Sequence, residues 1–394
     1  MINFQPLESI LGGGLLGLAS AILLLGSGDI LGCSGIVSSL ILKPKEAIAT
    51  TARWKFVHLG AFLLTSTLYH FFILKQDISA YVVPTPGTIR VPNTLAYVVG
   101  GFLLGFGTKL GAGCTSGHGI CGLARFSKRS FAAVMTFMAT GVATSSTFDV
   151  VAIFSAPDDD LSWAPNDISI PCSLAIVTLF AVCGAMAFGH SVFVKTFHIG
   201  EEIQNDPEAA AESSNVDDIE KFDDENKERQ DASIEDARNI GLRKNIFGAL
   251  SGAIFAAGLG LAGMIKQYKV ISFLNIVDFK NWDPSLAFVM GGGLAISFLS
   301  YQYVEGHGVI FKTKAMATPP LLNKKCSFNV PTKSALDAQL IVGSALFGIG
   351  WAIGGFCPGP ALYAFAAGMP KAMIYWWPCN IVGTILAEIV SKYM

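Results

Sequence analysis

Long apolar runs separated by short polar loops dominate this chain. Stretches of about 20 residues, enough to cross a hydrocarbon core, fall near residues 10–31, 56–74, 95–113, 131–154, 170–194, 246–265, 285–303, 336–356 and 372–391. The pattern predicts an all-α integral membrane protein of about nine transmembrane helices, with its two ends on opposite sides of the bilayer. One segment breaks it. Residues 201–244 hold fifteen Asp or Glu against six Lys or Arg. Low hydropathy and high charge predict a disordered, solvated linker there, with room for a helical stretch. The chain therefore divides into a first transmembrane half (1–198), an acidic linker (199–244) and a second transmembrane half (245–394).

The two halves repeat each other. GFGTKLGAGC, ending at Cys114, aligns with GIGWAIGGFC, ending at Cys357; Gly105, Gly107, Gly111 and Cys114 fall on Gly348, Gly350, Gly354 and Cys357 at a constant offset of 243. A weaker match sets LGCSG around Cys33 against AGMIK around Met264, where sulfur is kept and the thiol is lost. Spans one to four then correspond to spans six to nine. The unpaired fifth reverses the second copy, which predicts two inverted-topology repeats of the kind found in carriers.

Composition sharpens the membrane reading. The chain is 52% hydrophobic and 14% charged, against about 25% charged in soluble domains. Lys43, Lys45, Arg53 and Lys55 follow the first span, Arg125, Lys128 and Arg129 the third, and Lys312, Lys314, Lys324, Lys325 and Lys333 the seventh. Asp158, Asp159, Asp160 and Asp167 follow the fourth. Basic loops on the cytoplasmic side give an N-outside, C-inside, multi-pass protein of the cell membrane, with the linker in the cytoplasm. Lys266, Lys269 and Lys280, in an outer loop, fit this orientation worst. The N-terminus lacks a basic n-region, so the first span is expected to be retained. No aromatic-interleaved basic stripe is present, which excludes nucleic acid as a partner.

Candidate chemistry concentrates where glycine and proline interrupt spans. Gly111, Gly113, Gly117 and Gly119 cannot lie in one stable helix, since each costs about 1 kcal/mol relative to alanine. A half-helix starting near Thr115 or Ser116 aims free N–H groups and its positive dipole end at an anion. Pro358 and Pro360 enforce a second break in GGFCPGPAL, and GCSG (Gly32 to Gly35) makes a third. Each break carries a thiol: Cys33, Cys114 or Cys357. A thiol is a weak donor with a polarizable sulfur, suited to a soft sulfur anion and poorly suited to a hard cation. The remaining candidates are Gly32, Gly113, Ser116, Pro358, His118 and Lys109, the last either a site charge or a side chain reaching the membrane surface. Cys172, Cys183, Cys326 and Cys379 read as packing residues. Cys114, His118 and Cys121 do not have a zinc-finger spacing, and neither metal nor cofactor is expected.

GCSG, GAGCTSGHGICGLAR, NWDPSLAFVMGGG (281–293) and ALFGIGWAIGGFCPGPAL together resemble the YeeE/YedE sulfur-transport family. The resemblance covers both halves and implies nine crossing helices plus short re-entrant helices, carrying thiosulfate inward along a path lined by Cys33, Cys114 and Cys357. Two-part bacterial versions keep the halves in separate chains, so this sequence resembles a fusion of them; the acidic linker departs from the family pattern. Partners expected on this reading are a small inorganic sulfur anion, the lipid bilayer and a cytoplasmic sulfur-handling protein. Two other readings remain open: an intramembrane thiol enzyme of sulfurtransferase type using Cys114 and His118, and a structural or sensing membrane subunit.

Overall fold

A computed structural model describes residues 4–48, 52–74, 92–147, 153–155, 216–305 and 328–393. Helix α1 (Pro6–Ser27) begins on a proline and stops at Gly28, whose left-handed backbone (φ 75°) returns its N–H to Leu24 O, a helix end that glycine adopts without strain. Then come α2 (Cys33–Leu42), α3 (Pro44–Ile48) and α4 (Trp54–Leu68), which continues as a wider turn through Tyr69–Leu74. Helix α5 (Thr94–Leu110) is capped by Asn93, whose side chain accepts the Ala96 N–H. After a break, the wide helical segment Thr115–Gly122 leads to α6 (Lys128–Ser146), capped by Ser127. The second half comprises α7 (Val216–Leu261), α8 (Gln267–Leu274), α9 (Ser285–Glu305), α10 (Ala338–Gly354), α11 (Pro358–Ala366) and α12 (Trp377–Ser391). Described residues contain no strand, only two isolated bridges.

Six helices in the described part are long and apolar enough to span a membrane, seven if α5 and the bent segment after it form one span. The expected fifth span, 170–194, lies outside the described residues, as do Asp149, Cys172, Cys183, Cys326 and residues 201–215. The fourth ends at Ser146 and is less apolar than the rest, being rich in hydroxyls. Thr136, Thr140 and Thr144 each donate to the carbonyl one turn back, at 2.8, 3.0 and 2.8 Å, so these three hydroxyls are satisfied inside the helix. Within the linker, residues from 216 on are helical and continuous with the next span.

Glycine contacts give the register between the halves. Helices α5 and α10 run antiparallel: a Cβ on Gly100 would lie 2.8 Å from Gly354 Cα, and one on Gly107 2.5 Å from Phe347 N. Helices α1 and α7 are also antiparallel, Gly12 meeting Ala262 and Gly26 meeting Phe247. The remaining contacts come in exchanged pairs. Helix α1 packs on α9 as α7 packs on α4, and α5 packs on α12 as α10 packs on α6. The exchange holds residue by residue: Gly105 abuts Asn380 O, while Gly348, 243 positions on, abuts Phe137 O, itself 243 positions before Asn380. Lipid tails offer no hydrophobic drive for helix association, so close backbone approach at small residues supplies the packing.

Two of the three outlying lysines also find an explanation, while Lys280 is exposed. Lys269 is 1% exposed, with Nζ donating to Ser285 Oγ at 3.2 Å, and Lys266 is half-buried. They belong to the packed start of α8 and not to a solvated loop.

Candidate functional site

The three helix interruptions meet. Helix α2 starts at Cys33, the Thr115–Gly122 segment starts after Cys114, and α11 starts after Cys357. Local sequence sets each start. Gly111, Ala112 (φ 56°) and Gly113 turn the chain out of α5, and Gly355 (φ 66°) ends α10. Pro358 and Pro360 then leave α11 with only Gly359 to offer a first-turn N–H.

The contacts among these starts form a closed ring. Ser116 Oγ accepts the Cys33 N–H at 3.2 Å and lies 3.2 Å from Cys114 Sγ. Thr115 Oγ1 donates to Cys357 Sγ at 3.5 Å. A Cβ on Gly359 would stand 3.8 Å from Cys33 Sγ, so the starts of α2 and α11 touch. All three thiols are free and buried. They line one chamber of about 340 Å³, walled by Leu16, Ile120, Phe137, Phe255, Leu259, Val270, Phe273, Val289 and Trp351. Met138, Met264 and Met290 also line it, bringing the sulfur-bearing side chains to six. Three helix N-termini thus surround a space in which, among the described residues, no Asp, Glu, Lys, Arg or His is a lining residue.

A second, larger cavity, about 640 Å³, lies beside this ring and shares its elements: Gly32, Gly113, Gly117 and His118 line it, together with Lys55, Lys109, Arg125, Arg129, Lys333 and Asp29. Basic residues from the loops after the first, third and seventh spans thus share one vestibule. Ion pairs brace it: Lys109 with Glu388 at 2.7 Å, Arg129 with Asp337 at 3.0 Å, Arg125 with Glu305 at 3.5 Å and Lys244 with Asp29 at 2.9 Å. Residues 328–337 strap its side, Arg125 donating to Pro331 O and Arg129 to Ala335 O. Outside the spanning segments, the guanidinium of Arg129 and then the ammonium of Lys333 hold the Asp337 carboxyl well below the usual carboxylate range.

The sequence-derived candidates therefore separate into two groups. Cys33, Cys114, Cys357, Ser116 and Pro358 line the chamber; Gly32, Gly113, His118 and Lys109 line the vestibule. His118 has both ring nitrogens engaged, one 3.1 Å from Ser130 Oγ and the other 3.1 Å from Gly111 O. It ties the Gly111 carbonyl at the end of α5 to Ser130 and so braces the break. Lys109 is committed to Glu388. Sequence reasoning missed Thr115 and the methionines Met138 and Met290 as lining groups; only Met264 carried a signal, as the repeat counterpart of Cys33. Cys121 sits on the vestibule side, where its thiol donates to Leu31 O at 3.1 Å and meets Ser20 Oγ at 3.1 Å, tying α1 to the break. Cys379, in α12, is not among the chamber's lining residues.

Comparison with known proteins converges on the same elements. Residues 5–144 match a family model described as sulphur transport, and residues 244–394 match a family of unknown function (DUF6691). Two proteins of Xylella fastidiosa (strain Temecula1), each described as a probable transporter, are similar to separate parts of the fused chain. One is 36% identical over 125 residues, covering 32% of this chain and 76% of its own length. The other is 41% identical over 143 residues, covering 36% of this chain and 93% of its own length. A second strain, 9a5c, has a counterpart 36% identical over 125 residues, 32% of this chain and 77% of its own length. With these matches and a multi-pass helical body, the chain belongs to the sulphur-transport family of YeeE/YedE type and is a membrane protein of transporter kind.

Proposed function

We propose that this protein carries thiosulfate, or a closely related small sulfur anion, across the cell membrane through the cysteine-lined chamber. One observation carries the reading: Cys33, Cys114 and Cys357, distant in sequence, each stand at the start of a helix on the wall of one chamber. Helix N-termini hold the oxygens of the ion through N–H groups and the positive dipole end, while the thiols meet its terminal sulfur in succession. Each contact is weak, which lets the ion leave. The antiparallel pairing of α5 with α10 and α1 with α7, and the exchanged glycine contacts, support an inverted repeat around this path. The clustering of Lys55, Arg125, Arg129 and Lys333 at one vestibule supports a cytoplasmic assignment for that side. Inward movement of a dianion against an inside-negative potential costs about 4.6 kcal/mol per 100 mV, twice the single-charge value. Uptake therefore draws on a coupled ion, a gradient, or consumption by a cytoplasmic sulfur-handling protein.

The enzyme reading loses support from geometry. His118 spends both ring nitrogens on Ser130 and Gly111, and Cys114 Sγ faces Ser116, so Cys114 and His118 do not form a thiol–imidazole pair. The test is labelled thiosulfate uptake into proteoliposomes holding the full chain. Wild type accumulates label, while Cys114→Ala and Cys357→Ala abolish uptake and Cys379→Ala does not. Normal flux in both chamber variants rejects the thiol path.

A further inference from the structure

The chamber and the vestibule divide charge between them. The protein places five basic side chains around the vestibule, yet the chamber that holds the three cysteines is lined by sulfur, aromatic and aliphatic groups, with hydroxyls only at Thr115 and Ser116. Thr115 already donates to Cys357 Sγ. Of the vestibule's basic groups, Lys109 is itself tied to Glu388, Arg129 to Asp337 and Arg125 to Glu305. An anion entering the chamber therefore gives up water and, among the described residues, meets only neutral donors: thiols, one or two hydroxyls, helix-start N–H groups and the Trp351 indole N–H, which has no other partner there.

Transfer of an ion out of water is costly, and the cost grows with charge and falls with ionic size. Where a site supplies a full countercharge, that cost is offset for every anion alike. Here it is not, so the ions must sort by how tightly they hold their water, as ions do in filters built of neutral dipoles. Sulfate and thiosulfate carry the same charge, but the larger terminal sulfur of thiosulfate spreads it and presents a soft, poorly hydrated end to the sulfur-lined wall. A single-charged ion with a terminal sulfur loses still less.

We propose that the chamber selects its ion by the ease of dehydration, so that it rejects sulfate and also accepts weakly hydrated monovalent anions of the thiocyanate type. The proposal rests on the transport reading above and sharpens it. It differs from selection by fixed positive charge, under which sulfate and thiosulfate compete on similar terms.

The experiment is competition against labelled thiosulfate in proteoliposomes of the full chain, with the membrane potential clamped at zero so that a permeant anion cannot act through voltage. Thiocyanate is expected to halve uptake at or below the concentration at which unlabelled thiosulfate does so, while sulfate in hundredfold excess leaves it unchanged. Two variants add neutral donors to the wall with little change in volume, Met264→Gln and Phe273→Tyr. Each is expected to let sulfate compete and to narrow the thiosulfate-to-sulfate ratio about tenfold, a hydrogen bond to an ion being worth that much or more. Thiosulfate uptake in each variant reports that it is folded. If wild type takes up thiosulfate but sulfate competes equally, or thiocyanate is inert, or either functional variant keeps the original ratio, the dehydration filter is overturned while the transport reading stands. If wild type takes up no thiosulfate, both fall.

Discussion

Replacing Ser116 by alanine tests the geometry of the ring directly. Cys33 begins α2, so its N–H is one of the first-turn donors that an α-helix cannot satisfy by itself. In this protein the partner comes from elsewhere in the chain, 83 residues away: Ser116 Oγ, at 3.2 Å. Cys33 is only 6% exposed, so in Ser116→Ala no water replaces the lost hydroxyl without local rearrangement. A buried donor left unsatisfied costs about 1–3 kcal/mol, which corresponds to about a 5- to 150-fold shift in a local opening equilibrium. The assay is alkylation by N-ethylmaleimide in lipid nanodiscs, with each cysteine followed separately by peptide mass spectrometry. Cys33 is expected to label faster by a factor in that range. Cys379 serves as the internal reference and keeps its rate, and thiosulfate uptake falls in parallel. Unchanged labelling of Cys33 together with normal uptake would show that the Ser116 bridge does not hold the start of α2, and the ring would lose its physical basis.

Three further outcomes follow from contacts elsewhere. Gly105→Ala drives a methyl against Asn380 O, to within 2.0 Å, and should lower thermal stability by about 1–3 kcal/mol through overpacking, whereas Gly60→Ala, with open space around it, is neutral or stabilising on the same melting curve. Lys109→Gln leaves Glu388 charged and unpaired on α12. Both side chains are 28% exposed, so the loss is about 1 kcal/mol, and the double variant Lys109→Gln with Glu388→Gln should recover most of it in a double-mutant melting cycle. Asp337 has a depressed carboxyl, so its contribution is present above the ordinary carboxylate value of about 3.9 and fades as pH falls below it. The stability gap between wild type and Asp337→Asn should therefore be constant from pH 7 to pH 5 and close under stronger acid; a gap that instead widens on acidification contradicts the pairing with Arg129 and Lys333.

Much of the body was legible from sequence because a bilayer imposes a simple demand: backbone groups must be satisfied within each span, so spans are long, apolar and helical. That rule located α1, α4, α5, α9, α10 and α12 to within a few residues. Glycine and proline marked the three breaks because they alter backbone conformation locally, and the shared GxG spacing exposed the repeat. Other features had no local signature. Lys266 and Lys269 looked like loop charges, yet they are packed at the start of α8, where Ser285 gives the Lys269 ammonium a partner. The latter part of the acidic linker is helical from residue 216 and continuous with a span; the charge pattern left room for a helical stretch but did not mark where it starts.

The sequence by itself determined most of the long apolar helices, where they break and that a thiol marks each of three breaks, since these depend on hydropathy and backbone sterics within a few residues. Only the tertiary structure decided that those breaks face one another, that His118 and Lys109 belong to a charged vestibule instead of the chamber, and that Met138, Met264 and Met290 add their sulfur to its wall. The reason is physical. Hydrogen bonds such as Ser116 to Cys33, and glycine contacts such as Gly105 with Asn380, join residues far apart in the chain, and nothing in either local sequence specifies the partner that packing brings to it.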